Sequence, residues 1–302
     1  MTKALTFTAV FQAQSLNYGE GIGNISELKK FHRGNGDVYT FASRQSIRYD
    51  IVRLGNELFG WNLETVEKVG GGVVQFRKNA SIAESVEMDL FGYLKTDKVS
   101  QKRAAVARLS HAIALEPYKS DMEFLNNMGL ADRIPSTPNL ANIEQHLTYY
   151  TYTLTLDLDR VGIDKGNHDG EVRISEEERY QRVLQLLEIM KVLYRDIRGR
   201  RENCAPLFAV GGVYSVSNPF FLGRVRLANN KNGMGIDVGA LSSVMNTTFM
   251  GQSIAPATKV GFVDGVWANE YDLRDQFGDR ALSMESFFQE LQAQVRHAYG
   301  VE

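Results

Sequence analysis

The segment from Thr148 to Asp159 constrains the fold of this chain most, because from Tyr150 onward two classes of side chain alternate along it. One set of positions is large and apolar, and the other is threonine or aspartate. The apolar set is Tyr150, Tyr152, Leu154, Leu156 and Leu158. Successive side chains of a β-strand point to opposite faces of the sheet, so a two-residue period predicts a half-buried strand. Thr2 to Gln14 alternates in the same way, and we predict that it is the first core strand.

Three segments have the apolar spacing of helices. Ser175 and Glu178 form a capping box ahead of a periodic stretch that predicts a helix from Glu176 to Arg198. Ser286 to Tyr299 predicts a last amphipathic helix. Ser43 is a favoured N-cap residue for a third helix, whose inward stripe is predicted to be Ile47, Ile51, Leu54 and Leu58. Further strands are predicted at Val86–Leu94, Ala104–Leu115 and Leu207–Val216.

The order strand, helix, strand, strand, helix, strand predicts an α+β fold. It is the ferredoxin-like order, which RNA-recognition modules share with many unrelated enzymes. We predict one domain over residues 1–302, with a core at about 1–14, 43–59, 104–118 and 147–218. Residues 15–42, 60–103 and 119–146 are then insertions, and residues 219–302 are a C-terminal elaboration.

Composition is ordinary for a folded soluble protein, with 43% hydrophobic and 23% charged residues. No apolar run approaches the roughly 20 residues that span a bilayer, and the N-terminus lacks the pattern of a signal peptide. We therefore expect a cytoplasmic protein with no membrane partner. The single cysteine, Cys204, cannot form an internal disulfide. The net charge of −2 disfavours nucleic-acid binding, yet basic residues outnumber acidic ones from Lys29 to Arg53 and from Lys95 to Arg108.

The most suggestive basic feature is the start of the helix that follows Ser43. Arg44 and Arg48 lie one turn apart on its opening turns. Free backbone N–H groups and the positive end of the helix dipole attract anions, and two guanidinium groups would strengthen that attraction. The pattern indicates a phosphate-binding site. A surface helix with solvated arginines is the alternative.

The order and spacing of these elements resemble the backbone subunit of type I CRISPR Cascade complexes, in the DevR-like type I-B branch of the RAMP superfamily. The similarity extends to about Leu222. The segments that carry it include Phe41-Ala42-Ser43-Arg44-Gln45-Ser46-Ile47-Arg48, Asp89-Leu90-Phe91-Gly92 and Ala105-Val106-Ala107-Arg108-Leu109-Ser110-His111-Ala112.

The resemblance implies a molecule shaped like a right hand. Its palm would be a modified RNA-recognition, ferredoxin-like fold, with finger or web insertions at 15–42 and 60–103 and a thumb at 119–146. Copies would polymerise along a CRISPR guide RNA (crRNA), each thumb displacing one nucleotide, and would support pairing of the guide with target DNA. The implied partners are crRNA, target DNA through the R-loop, further copies of the chain, and the large, small and end-capping Cascade subunits. No catalysis, cofactor or metal is expected.

The resemblance also implies roles for particular residues. Ser43, Gln45 and Arg48 match the positions that grip guide phosphates, and Arg44 stands where relatives often have a small polar residue. Lys98, Lys102 and Arg103 form a basic loop that could meet RNA or be only a solubilising surface. Thumb residues that could stabilise a displaced base, or pack against a neighbouring subunit or their own hairpin, are Met128, Leu130 and Ile134.

Two enzymatic alternatives remain open. In type III complexes an aspartate after the first strand supports metal-assisted RNA cleavage, and Asp37 is the only aspartate in 15–42. A metabolic enzyme on a ferredoxin-like core is the other alternative, although the sequence contains no evident catalytic cluster. The five histidines lack metal-ligand spacing. Asp157, Asp159, Asp164 and Asp169 miss the calcium-loop pattern.

Overall fold

The computed structural model describes residues 3–96, 100–166, 170–231 and 233–301, which form an α+β fold as predicted. These residues form seven α-helices, numbered in chain order: α1 (Arg44–Phe59), α2 (Val86–Phe91), α3 (Met128–Ala131), α4 (Glu176–Lys191), α5 (Val238–Met245), α6 (Glu270–Phe277) and α7 (Met284–Tyr299). Within the described ranges, no helix is both long enough and apolar enough to cross a membrane.

One nine-stranded sheet organises the molecule. With strands numbered in chain order, its members are β1 (Ala4–Gln14), β3 (Lys30–His32), β4 (Val38–Ala42), β9 (Ala107–Leu109), β10 (Ala112–Ala114), β13 (Leu147–Asp157), β18 (Phe208–Tyr214), β23 (Lys259–Phe262) and β24 (Ala281–Ser283). They lie in the order β24-β23-β18-β1-β13-β10-β4-β3, and β9 also pairs with β13. Within the described part of this sheet, β23 and β24 are the only neighbours that pair in parallel.

The remaining strands of the described residues form small separate sheets. They are β2 (Ile25–Ser26), β5 (Val66–Lys68), β6 (Val74–Phe76), β7 (Tyr93–Lys95), β8 (Gln101–Arg103), β11 (Asp121–Asn126), β12 (Leu140–Gln145), β14 (Ile163–Asp164), β15 (Val172–Arg173), β16 (Tyr194–Ile197), β17 (Arg200–Asn203), β19 (Leu227–Asn230), β20 (Gly233–Ile236), β21 (Thr248–Phe249) and β22 (Gln252–Ser253).

The centre of the large sheet has ferredoxin-like connectivity. Its four strands β18-β1-β13-β10 are antiparallel, with α1 following β1 and β4, and α4 joining β13 to β18. The long strands β1 and β13 pair over their full length, from Ala4 opposite Asp157 to Gln14 opposite Leu147. These are the two segments with the clearest alternation in the sequence.

Hydrophobic residues pack on both faces of the centre of this sheet. On one face, the aromatic ring of Phe7 contacts those of Tyr152, Phe287 and Phe288, and α1, α4 and α7 complete the core. On the other face, Val10 joins a second core that includes Phe208, Phe262 and Trp267.

The prediction that the strand at 148–159 is half-buried is therefore wrong for its second half. Thr153 and Thr155 are 2% and 6% exposed. Their hydroxyl groups remain satisfied because they pair with those of Thr8 and Thr6 on β1. The chain after residue 219 supplies the second core on this face, which the local alternation could not reveal.

Two predicted elements differ from the structure at their boundaries or in type. Val86–Leu94 was predicted as a strand, but it is α2 followed by β7. Ser85 caps this helix by accepting the Met88 N–H, and Gly92, with φ of 74°, ends it. The helix predicted to reach Arg198 ends at Lys191, and the chain turns into the β16–β17 hairpin.

Two further predictions are wrong in detail. The single strand predicted at Ala104–Leu115 is the pair β9 and β10, interrupted at Ser110 and His111. Leu58 was predicted to face inward, but it is 52% exposed. It lies in the last turn of α1, beyond the buried part of the stripe formed by Ile47, Ile51 and Leu54.

Residues 119–146 leave the large sheet, as the sequence indicates. They form the β11–β12 hairpin, with α3 in its connection, and β2 pairs with β12 in parallel. Every residue of β11 is exposed. The hairpin therefore presents its outer strand to solvent.

Candidate nucleic-acid interface

Ser43 fixes the start of α1. Its Oγ accepts the backbone N–H of Ser46 at 3.2 Å, and the Ser46 hydroxyl donates to the Ser43 carbonyl at 2.8 Å. The Ser43 N–H donates to Asn17 Oδ1 at 3.1 Å, which ties the preceding loop to the helix. The sequence-based N-cap is confirmed, and its geometry sets the direction of the first turn.

Arg44 and Gln45 occupy that first turn with exposed side chains. In the part of the chain that the structure describes, neither side chain has a hydrogen-bond or ion-pair partner. The backbone N–H of Arg44 is already used, because it donates to His111 Nδ1 at 3.1 Å. The two side chains are thus available to an external anion or polar group.

Arg48 lies one turn further along α1 and already has partners. Its guanidinium forms a 2.7 Å ion pair with Glu87 of α2 and lies 5.1 Å from the centre of the Phe91 ring. The side chain is 35% exposed, at the border of an open cleft of about 460 Å³. A phosphate at this position would have to share Arg48 with Glu87.

Arg103 does not belong to an exposed basic loop, which corrects the expectation from sequence. Its side chain is 4% exposed and forms a 2.7 Å ion pair with Asp89. It also donates to the carbonyl oxygens of Asp89 and Arg160. These bonds hold Arg103 inside the protein, so Arg103 is not part of the candidate interface.

The other two residues of that loop have different outcomes. Lys102 is exposed on β8, in the hairpin that β8 forms with β7. Lys98 lies outside the described residues. Lys102 therefore remains a candidate RNA-binding residue because its position is exposed.

The three proposed thumb residues are on the surface of a separate hairpin. Met128, Leu130 and Ile134 are 52%, 59% and 64% exposed. Met128 and Leu130 belong to α3, and Ile134 follows in the next turn. They form an exposed apolar tip, whereas Ser43, Arg44, Gln45 and Arg48 share the first two turns of α1.

Sequence reasoning missed an aromatic group beside the start of α1. The Phe31 and Phe41 rings stack with centroids 4.0 Å apart and planes 13° apart, and the His111 ring lies 5.2 Å from Phe41. Burial lowers the pKa of His111, and the positive charges of Arg44 and Lys29 lower it further. Only Phe41 stood in a segment that the sequence singled out for the helix start. The pairing of β3, β4 and β10 brings the other two rings to it.

Two acidic positions considered in the sequence have local partners. Asp37 lies in the turn between β3 and β4, where its carboxylate accepts from Asn35 Nδ2 at 2.7 Å. Burial would raise the pKa of Asp157, but hydrogen bonds from Arg108 and Ser217 outweigh it, so the pKa is lowered. Among the described residues, no group of three or more His, Cys, Asp or Glu side chains is placed to hold a metal ion.

Comparison with solved structures places this fold among known proteins. A chain of a "CRISPR RNA-guided surveillance complex, pre-nicking" aligns with a TM-score of 0.59 at 13% identity, covering 97% of this chain and 100% of that one. A chain of a "CRISPR RNA-guided surveillance complex" aligns with a TM-score of 0.56 at 15% identity, covering 98% and 99%. A search of the curated proteins returned no match.

A sequence-family match defines a CRISPR-associated protein. The matching model covers residues 5–231 and describes the CRISPR-associated negative auto-regulator DevR/Csa2. This chain belongs to the DevR/Csa2 family. The DevR-like resemblance deduced from the helix start, the Asp89–Gly92 segment and the strand order is thereby confirmed.

Proposed function

We propose that this protein is a non-catalytic, guide-RNA-binding backbone subunit of a Cascade surveillance complex. The observation that carries the proposal is the start of α1, where Arg44 and Gln45 are exposed and without partners in the described residues beside the Ser43 cap. Family membership gives this basic surface a context in CRISPR biology.

The chemistry of the helix start suits a phosphate group. Its dipole favours an anion, and a guanidinium forms charge-assisted hydrogen bonds with phosphate oxygens. Arg48 would add a second positive charge if it exchanged Glu87 for the phosphate. Such contacts position an RNA strand without reading its bases, while guide–target pairing supplies sequence recognition.

The proposed partners are crRNA, further copies of the chain, target DNA through the R-loop, and the other Cascade subunits. The solved chains with a similar fold come from CRISPR RNA-guided surveillance complexes, which supports this assignment. In this proposal the large sheet is the palm, residues 15–42 and 60–103 are finger or web, and residues 119–146 are the thumb. Met128, Leu130 and Ile134 would contact a displaced base or the next copy.

Arg44→Ala tests the phosphate grip most directly, because its exposed side chain contributes little to packing. Losing one charge-assisted hydrogen bond removes about 1.5–3 kcal/mol, so affinity for RNA should fall about ten-fold or more. The slope of log affinity against log salt should also become shallower by ~0.7. Filter binding with several unrelated RNAs measures both quantities, and all sequences should respond similarly.

Arg274→Ala is the matched control. Arg274 is also an exposed arginine, but it lies on α6 and pairs with the exposed Asp264. It should leave RNA affinity unchanged. Equal affinities for wild type and Arg44→Ala, or a flat salt response of the wild type, would contradict the proposed phosphate grip. Sequencing the RNA that co-purifies with the wild-type protein identifies its natural ligand.

A further inference from the structure

The stacked pair of Phe31 and Phe41 has no role in the two large cores. Phe31 lies on β3, at the edge of the nine-stranded sheet, and Phe41 lies on the neighbouring β4. Neither ring belongs to the hydrophobic clusters of the described residues. Phe31 is 40% exposed, although burying a phenyl ring is favourable. The pair is therefore an aromatic surface held next to solvent.

His111 extends this surface and is held in a fixed orientation. Its ring lies 5.2 Å from Phe41 and 5.8 Å from Phe31. Its Nδ1 accepts the backbone N–H of Arg44, so the neutral ring carries its proton on Nε2. The hydrogen bond couples the ring to the first turn of α1.

The surroundings of the three rings are positively charged. Burial lowers the pKa of His111, and the positive charges of Arg44 and Lys29 lower it further. Across the described ranges, neither cation takes part in an ion pair. Aromatic rings combined with uncompensated cations are the features that single-stranded nucleic acids require, because bases stack on the rings and phosphates meet the charges.

We propose that Phe31, Phe41 and His111 form a platform on which a base of single-stranded RNA stacks, while Arg44 and Lys29 hold the adjoining phosphates. This inference rests on the proposed function and adds a contact to the base itself. Charge complementarity favours RNA over a neutral protein surface as the occupant. Stacking tolerates any base, so the platform adds affinity without sequence preference.

The test distinguishes the contribution of the base to binding from that of the ribose-phosphate backbone. Affinity is measured for a short single-stranded RNA of mixed sequence and for an abasic ribose-phosphate oligomer of the same length. Phe31→Leu keeps an apolar side chain but removes the ring. It should weaken binding of the RNA about five-fold to a hundred-fold, as expected for one stacked base, and leave binding of the abasic oligomer unchanged.

Two variants control the measurement. Phe249→Leu changes a phenylalanine of nearly equal exposure, 41%, on β21, which lies in a separate two-stranded sheet, and should bind both ligands like the wild type. Phe31→Tyr keeps a ring and should retain RNA affinity. Circular dichroism verifies that each variant is folded.

The outcomes distinguish this inference from the proposed function. If the wild type binds RNA but Phe31→Leu binds it equally well, the platform is refuted and RNA binding stands. If Phe31→Leu weakens binding of the RNA and of the abasic oligomer equally, the platform is also refuted, because the ring would then affect binding of the ribose-phosphate backbone and not of a base. If the wild type binds neither ligand, the proposed function itself fails. Normal RNA binding with impaired self-assembly would show that a second copy of the chain occupies the rings instead.

Discussion

Asp89→Asn should destabilise the protein strongly, although it replaces a single atom. The Asp89 carboxylate is fully buried and binds Arg103 at 2.7 Å and Arg182 at 2.9 Å. Both of its oxygens also accept the Gly162 N–H at 2.9 Å. One carboxylate thus joins α2, β8, α4 and the turn before β14.

The size of the effect follows from the burial of both arginines. Their side chains are 4% and 3% exposed, so water cannot replace the lost negative charge. Breaking a buried ion pair costs about 3–5 kcal/mol. Arg182 keeps its 3.0 Å bond to Glu178, and asparagine can still accept a hydrogen bond. We therefore expect a loss near the lower limit, about 3 kcal/mol, which is a large share of a typical folding free energy.

Urea unfolding followed by far-UV circular dichroism measures this change. The matched control is Asp196→Asn, since Asp196 pairs with Arg201 at a similar distance, 2.8 Å, but on the surface. Solvent screens that pair, so its loss should change the midpoint little. The comparison isolates burial as the cause.

A second variant tests whether the loss of stability has an electrostatic origin. Adding Arg103→Met to Asp89→Asn removes one of the two uncompensated charges, and the double variant should lose less stability than the two single losses added together. Wild-type stability in Asp89→Asn, or strict additivity in the double variant, would show that the buried-charge reasoning is incorrect.

The remaining predictions concern the thumb and pH. Changing Met128, Leu130 and Ile134 together to serine should leave the far-UV circular dichroism spectrum unchanged, because these side chains are exposed, but should disturb ordered assembly on RNA in electron micrographs; regular filaments would contradict the thumb assignment. Burial lowers the pKa of both His111 and His146, so the unfolded state binds more protons below about pH 6.5 and the melting temperature should fall as pH decreases from 7.5 to 5.5. Replacing both histidines with glutamine should flatten that dependence; equal slopes would contradict it.

Local signals in the sequence were sufficient for the main elements. The alternation of side chains in β1 and β13 predicts strands, and the Ser43 and Ser175 caps predict helix starts; the structure confirms both. These signals succeed because a strand period or an N-cap depends on residues that are close along the chain. The same reasoning found the exposed Arg44, whereas Gln45 was singled out by the family resemblance.

Signals were ambiguous where a short apolar run fits two structures. Val86–Leu94 has strand-like composition, yet Ser85 and Gly92 delimit a helix. The first-turn acids Glu87 and Asp89 favour that helix, and they were available in the sequence. The sequence did not show that these two acids have different roles. Glu87 pairs with Arg48 near the surface, whereas Asp89 is buried.

By itself, the sequence determined the α+β class, the order of the core elements and the basic start of α1, because each is encoded by residues within a few positions of one another. Only the tertiary structure decided that Arg103 is buried and that Phe31, Phe41 and His111 meet. Asp89 and Arg182 are 93 positions apart in the chain, and no local period specifies that contact. Periodicity indicates which face a residue takes, but strand pairing and helix packing decide which distant residues share that face.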